Sequence, residues 1–221
     1  MAWDTVSFDC YGTLVDWETG ITSAFRRAAA ADGIELEPAA VIAAYHAAEP
    51  QVQADHYRPY SDVLGETALR VAQRLGWSLA PEQAGFLAES LPDWPAFSDT
   101  RQALERLKAR FRLAILSNID DALLEATIAG IGVEFDWTVT AQQVRSYKPG
   151  HAHFLAALSN LDGDRGRLLH AAQSKFHDIR PAGELGIDCV WVNRKGEELD
   201  DGLEPLRVVG DVAELAEWLG V

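Results

Sequence analysis

A chain of 221 residues that is 48% hydrophobic has the apolar mass for one large domain, or for one domain carrying a smaller insert. With 34 acidic against 19 basic residues it carries a formal charge of -15, which repels phosphate backbones and anionic membrane surfaces and excludes nucleic acid and membrane as expected partners. No apolar run approaches the roughly 20 residues of a membrane span, the first residues show no basic region followed by an apolar stretch, and no tract is of low complexity, so an ordered cytoplasmic protein is expected.

In chain order, Thr5-Val6-Ser7-Phe8 reads as a short strand that ends at Asp9. From about Thr19 to Gly76 the signal is helical. Residues 38–49 are alanine-rich, with Pro50 expected to kink or end that helix. Ser61 is the expected N-cap of a helix whose Leu64, Ala68, Val71 and Leu75 share one face. A weaker helix covers about 81–90, and Leu91-Pro92-Asp93-Trp94-Pro95 is a breaker cluster that suits a domain joint. Ser98 is the expected cap of a helix running to about Arg110. The apolar run Leu113–Leu116 reads as a strand ending at Ser117-Asn118, and Asp120 or Asp121 opens the next helix. Trp137–Val139 reads as a strand, and Pro149 suits the first turn of a helix. Strands follow at 168–172, 189–192 and 208–209, with helices at 178–185 and 212–219.

Strand and helix alternate at the start and again from about residue 96, the pattern of a doubly wound parallel α/β sheet. The helical stretch between them reads as an inserted cap. The expected division is an α/β core at 1–16 and 96–221 with a helical cap at 17–95. The two cysteines, Cys10 and Cys189, match no metal spacing, are too few for a disulfide framework, and sit in apolar runs as buried reduced thiols would. His151-x-His153 has no acids beside it to complete a zinc site, so no metal is expected.

Ligands of an open α/β sheet bind at the carboxyl ends of its strands. Asp9, Ser117, Asn118, Gln173, Ser174 and Asp178 stand at or just beyond such ends, and Lys148 lies in a loop before a helix. Taken singly, each has an ordinary reading as a turn or helix cap. Jointly and in order, Phe8-Asp9-Cys10-Tyr11-Gly12-Thr13-Leu14, Leu116-Ser117-Asn118, Tyr147-Lys148-Pro149 and Ser174 with His177-Asp178-Ile179 resemble the four motifs of the haloacid dehalogenase-like hydrolase superfamily. The resemblance covers nearly the whole chain and implies a Rossmann-like core with a helical cap.

It further implies that Asp9 is a nucleophile forming a covalent ester, that Lys148 holds it ionised, and that Asp178 positions or activates the water that cleaves the ester. Phosphatases of the superfamily usually carry a second Asp two residues after the nucleophile, where Tyr11 stands here. They also carry an acid where Gln173 stands, and Lys175 adds a positive charge to that motif, against the oxygen ligands that Mg²⁺ needs. Halide leaves without protonation, and the Asp9-Cys10-Tyr11-Gly12-Thr13 form is similar to the L-2-haloacid dehalogenase branch.

By that resemblance the substrate is a small anionic 2-haloalkanoic acid, no cofactor is used and a homodimer is formed. Ser117 binds the substrate carboxylate, Asn118 helps to hold substrate or halide, and Tyr11 and Thr13 belong to the binding set. His46 stands where the branch has a halide-cradling arginine. Trp17, Arg58, Tyr60, Ser174 and His177 are further candidates for the pocket. Three alternatives stay open from the sequence: a Mg²⁺-dependent phosphatase of small phosphoesters, a related hydrolase acting on another carbon electrophile, and a binding protein that keeps the fold without catalysis.

Overall fold

Thr5-Val6-Ser7-Phe8 is buried at every position, and a strand buried on both faces belongs in the middle of a sheet. The computed structural model describes residues 3–54 and 56–221. Met1 and Ala2 of the expected core and Asp55 of the expected cap lie outside the described residues. In chain order the elements are β1 (Thr5–Phe8), α1 (Trp17–Ala31), α2 (Pro38–Gln53), α3 (Tyr60–Arg74), α4 (Phe86–Glu89) and α5 (Thr100–Lys108). They continue with β2 (Arg112–Ser117), α6 (Asp121–Ile131), β3 (Trp137–Thr140), α7 (Ala141–Val144), α8 (Ala152–Ser159) and β4 (Leu168–Ala172). The last are α9 (Arg180–Glu184), β5 (Asp188–Val192), β6 (Arg207–Val209) and α10 (Val212–Trp218).

Two compact units result. One comprises Met1–Asp16, Ala96–Asn118 and Ile131–Val221; the other comprises Trp17–Pro95 and Ile119–Gly130. The first holds the sheet, in the order β3-β2-β1-β4-β5-β6, with every pairing parallel. The order reverses direction at β1, so β2 and β4 flank it and the crevice of a doubly wound sheet opens at their carboxyl ends. Asp9, Ser117 and the turn after Ala172 all stand at that edge.

The second unit is helical, and its Ile119–Gly130 segment is one that the sequence reading assigns to the core. The reason lies partly in Asp120. Its carboxylate accepts the backbone N–H of Tyr60 at 2.8 Å and of Ser61 at 2.9 Å, satisfying two orphan donors at the start of α3. Ser61 is therefore not the N-cap: Pro59 holds that position, and a carboxylate about 60 residues away supplies the acceptor.

Other local expectations shift for similar reasons. α2 continues through Pro50 to Gln53. Asp99, not Ser98, is the N-cap of α5, and its carboxylate faces Arg194 at 2.9 and 3.0 Å and the Val212 N–H at 2.9 Å instead of its own helix. Pro149 precedes α8 and does not enter its first turn. The helix expected at 81–90 breaks into a 3-10 turn and the short α4. No helix among the described residues is long and apolar enough to cross a membrane.

Asp120→Ala should destabilise the protein by about 0.5–2 kcal/mol, the usual range for a lost N-cap. A fall in the urea midpoint would register it, with a smaller fall for Asp120→Asn, which keeps one acceptor.

Candidate active site

The turn after β1 sets the first carboxylate. The Asp9 N–H continues the sheet by donating to the Ala171 carbonyl at 3.2 Å, and the chain then reverses at Gly12, whose φ of 97° suits glycine and few other residues. Gly12 N–H donates to Val15 O at 2.8 Å, and the Leu14 and Val15 N–H groups close on Cys10 O at 2.8 and 3.0 Å. This tight loop brings Thr13 back to Asp9: its hydroxyl donates to Asp9 Oδ2 at 3.0 Å and accepts the Gln173 N–H at 2.9 Å. Thr13, expected among the substrate-binding residues, is fully buried and gives its only hydroxyl hydrogen to Asp9, so it orients the carboxylate.

Lys148 occupies the centre, 1% exposed. Its ammonium has three donors and three acceptors: Asp9 Oδ1 at 2.9 Å, Asp178 Oδ1 at 2.6 Å and the Leu116 carbonyl at 2.7 Å. Asn118 clamps the backbone of the same residue, accepting Lys148 N–H at 2.7 Å through Oδ1 and donating from Nδ2 to Lys148 O at 3.0 Å. The sequence reading gives Asn118 to substrate or halide; in the structure both polar atoms of its amide hold the lysine in place.

The two carboxylates are unlike. Burial pushes Asp9 above the ordinary range, opposed by the charge of Lys148 and reinforced by that of Asp178. Burial also acts against ionisation of Asp178, but Lys148 and His170 outweigh it and hold this carboxyl well below the usual range. Burial would lower Lys148, yet the charges of Asp178 and Asp9 exceed that effect and raise it. His170 Nε2 lies 3.0 Å from Asp178 Oδ1, and its Nδ1 lies 2.8 Å from Ser7 Oγ.

Ser117 closes β2 with its Oγ buried and without a hydrogen-bond partner among the described residues. Its carbonyl accepts His153 Nε2 at 3.1 Å, and burial pushes this imidazole down to about 3. Ser174 is the N-cap of a π-turn, Lys175–Ile179, accepting the His177 N–H at 3.0 Å, and the same hydroxyl meets His177 Nδ1 at 3.1 Å. Burial lowers the pKa of His177. Tyr11 is half-buried in the Asp9 loop and bridges to Val15. Lys175 departs from the charge expected of it at the site. Its ammonium turns to Glu198 O at 2.8 Å, Asp200 at 2.9 Å and Glu197 at 3.3 Å.

The remaining candidates belong to the helical unit. Trp17 packs against Tyr45 and His46, with ring centroids at 5.7 and 5.3 Å. The His46 side chain is 57% exposed, with Nε2 3.8 Å from Glu18, so a carboxylate already neighbours the position expected to hold an anion. Arg58 pairs with Glu66 at 2.6 Å. Tyr60 OH lies 3.2 Å from Tyr45 OH and 3.4 Å from Glu49, a half-buried acid that burial raises to about 7.

The superfamily resemblance raises the question of Mg²⁺. Asp9 Oδ1 faces an ammonium and Oδ2 a hydroxyl, Gln173 presents an amide where an acid would serve, and no group of three or more His, Cys, Asp or Glu side chains among the described residues is arranged for a metal ion. These donors do not fit a hard cation that needs several oxygen ligands.

His170, Ser7, His153 and the Leu116 carbonyl are the participants that sequence reasoning misses. A polar residue inside each of two apolar strands, Ser7 and His170, is the one signal that points to a buried pair.

Fold and cluster define a class: a doubly wound α/β protein that presents a lysine-held carboxylate at its switch point. Residues 3–186 match the family model of haloacid dehalogenase-like hydrolases, and the chain belongs to that family. It is 33% identical over 125 residues to (S)-2-haloacid dehalogenase H-109 of Pseudomonas putida, a match spanning 55% of each chain. It is 27% identical over 216 residues to (S)-2-haloacid dehalogenase 4A of Burkholderia cepacia, covering 94% of this chain and 91% of that protein. The solved structure of a defluorinating L-2-haloacid dehalogenase shares the fold, with a TM-score of 0.86 at 23% identity over 99% of this chain and 96% of that one.

Lys148→Met leaves two buried carboxylates facing each other without a cation, which should cost about 3–5 kcal/mol at pH 7. Removing the cation raises both folded-state pKa values above the unfolded ones, so the loss should shrink as the pH falls and the acids take protons. Urea midpoints of variant and parent at pH 7 and pH 5 would measure the difference.

Proposed function

We propose that this chain is a metal-independent 2-haloacid dehalogenase, converting a small 2-haloalkanoate to the 2-hydroxy acid through an ester on Asp9. The observation that carries the reading is the Asp9–Lys148–Asp178 cluster with Tyr11, not a second acid, two residues after the nucleophile. A carboxylate is a weak nucleophile unless it is positioned and kept free of protons. Lys148 and Thr13 each hold one of the Asp9 oxygens, which fixes the group and favours its charged form against the effect of burial.

Asp9 attacks C2, the carbon–halogen bond breaks, and halide departs with the electron pair, so no acid is needed at position 11. Water then adds to Cγ of Asp9 and gives a proton to Asp178. The ester C–O bond breaks, and that proton passes to the departing oxygen of the 2-hydroxy acid. The second water proton ionises from the regenerated Asp9. The unpartnered Ser117 hydroxyl supports a role in binding the substrate carboxylate. The relatives' printed names direct the first probe to the (S) configuration. We place the enzyme in the cytoplasm, a reading supported by two buried, unpaired thiols.

Halide release from L-2-chloropropionate should persist in EDTA and vanish in Asp9→Asn. A single turnover in heavy-oxygen water should leave one label on Asp9. EDTA-sensitive phosphate release across a phosphoester panel, with no halide from any haloacid, would establish the phosphatase reading instead. Because burial raises Asp9, the acid limb of kcat/KM should lie above the ordinary aspartate value of about 3.9, activity falling as pH drops through it.

A further inference from the structure

We propose that Ser7 and His170 form a positioning pair for Asp178, fixing its Oδ1 and leaving Oδ2 to accept the proton of the hydrolytic water. The proposal rests on the dehalogenase reading above and deepens its second half.

Ser7 and His170 are Cα partners in the parallel pairing of β1 with β4, so their side chains stand on the same face of the sheet. Both are fully buried. His170 joins Ser7 Oγ at 2.8 Å to Asp178 Oδ1 at 3.0 Å, and its ring lies nearly perpendicular to that of Phe154 at a centroid distance of 5.2 Å. An ionised Asp178 can only accept, so Nε2 carries a hydrogen and donates it to Oδ1, while Nδ1 and the Ser7 hydroxyl share a second hydrogen bond. One ring orientation follows. Asp178 Oδ1 then has two donors, Lys148 and His170, while the equally buried Oδ2 has no hydrogen-bond partner among the described residues.

This asymmetry matters for ester cleavage. A carboxylate that accepts a proton from water must arrive ionised and present one oxygen in a fixed direction. The titratable groups around Asp178 are Lys148, Asp9, His170, His153, His177 and Cys189. Of these, only Lys148 and His170 donate directly to Asp178. Filling the space would need only an apolar side chain, whereas a buried imidazole bonded at both nitrogens orients its neighbour. Displacement of halide by Asp9 requires no proton transfer, so loss of His170 should fall on the hydrolytic step.

The test is rapid quench of single turnovers with 2-chloropropionate, counting ester on Asp9 by intact mass. His170→Leu should slow ester hydrolysis ~10–100-fold, as losing a group that orients a site residue commonly does, with ester formation within about threefold, so that ester accumulates. The acid limb of the hydrolytic step should move to higher pH, because Asp178 loses a donor that favours its charged form. Ser7→Ala should act in the same direction more weakly. His170→Gln, which keeps an N–H near the place of Nε2, should recover most of the rate.

Equal slowing of both steps in His170→Leu, with an unmoved acid limb and no recovery in His170→Gln, would overturn the pairing. A wild-type enzyme that gives neither halide nor ester would instead refute the dehalogenase reading. In that event the carboxyl ¹³C shift of Asp178 decides the pair separately. It should report an anion to lower pH in the parent and His170→Gln than in His170→Leu, with Ser7→Ala between them, and identical titrations in the parent and His170→Leu would refute the pair's role.

Discussion

One buried ammonium organises the catalytic unit. Lys148 is almost wholly removed from water, and an unpaired cation there would cost several kcal/mol. It is tolerated because three oxygens converge on it: one at the end of β1, one on β2, and one beyond β4. The three central strands must therefore stand in their observed order before the lysine can be buried. Asn118 enforces the same condition from the other side, since it leaves the end of β2 and grips the lysine's main chain. The cluster and the sheet specify each other, which gives a physical reason for the site to stand where the strand order reverses.

The ammonium also divides the labour of the two carboxylates. Both share it, but Asp178 has a further donor in His170 and is held acidic, whereas Asp9 has a neutral hydroxyl and is raised by burial. Environments that push two acids apart are how one site performs two different steps. In the proposed reaction the more basic Asp9 is the acid that attacks carbon, and the more acidic Asp178 is the one that keeps its charge and receives the water proton. Exchanging the neighbours of the two acids would exchange these properties without altering either acid.

Legibility in the sequence follows the range of the interactions. Asp9, Lys148, Asp178 and Ser117 stand out because strand ends and motif order are local signals, and β1 with the later strand–helix alternation is visible for the same reason. Donors and acceptors far apart in sequence leave no such mark. The cap on α3 comes from Asp120, a distant carboxylate that takes the place a local reading gives to Ser61. Asp99 is drawn to Arg194, about 95 residues on, and so does not cap its own helix. Lys175 stands in the last motif by sequence, but the acidic 197–200 loop takes its charge. Motif order points to Thr13 and Asn118 but not to their partners, because the partner of a side chain is decided by topology.

The change at Gln173 shows how such a site tolerates the loss of an acid. What the Asp9 loop takes from this position is the backbone N–H, which donates to Thr13 and thereby fixes the hydroxyl that holds Asp9. The contact is indifferent to the side chain, so an acid can become an amide there while Asp9 stays oriented. Position 11 likewise contributes to the turn through its backbone pairing with Val15. Both acids that characterise phosphatases can thus be absent while the support of Asp9 remains complete. Electrostatic control then rests on an ammonium tethered by the chain, a cation that needs no coordination shell and that a chelator cannot remove.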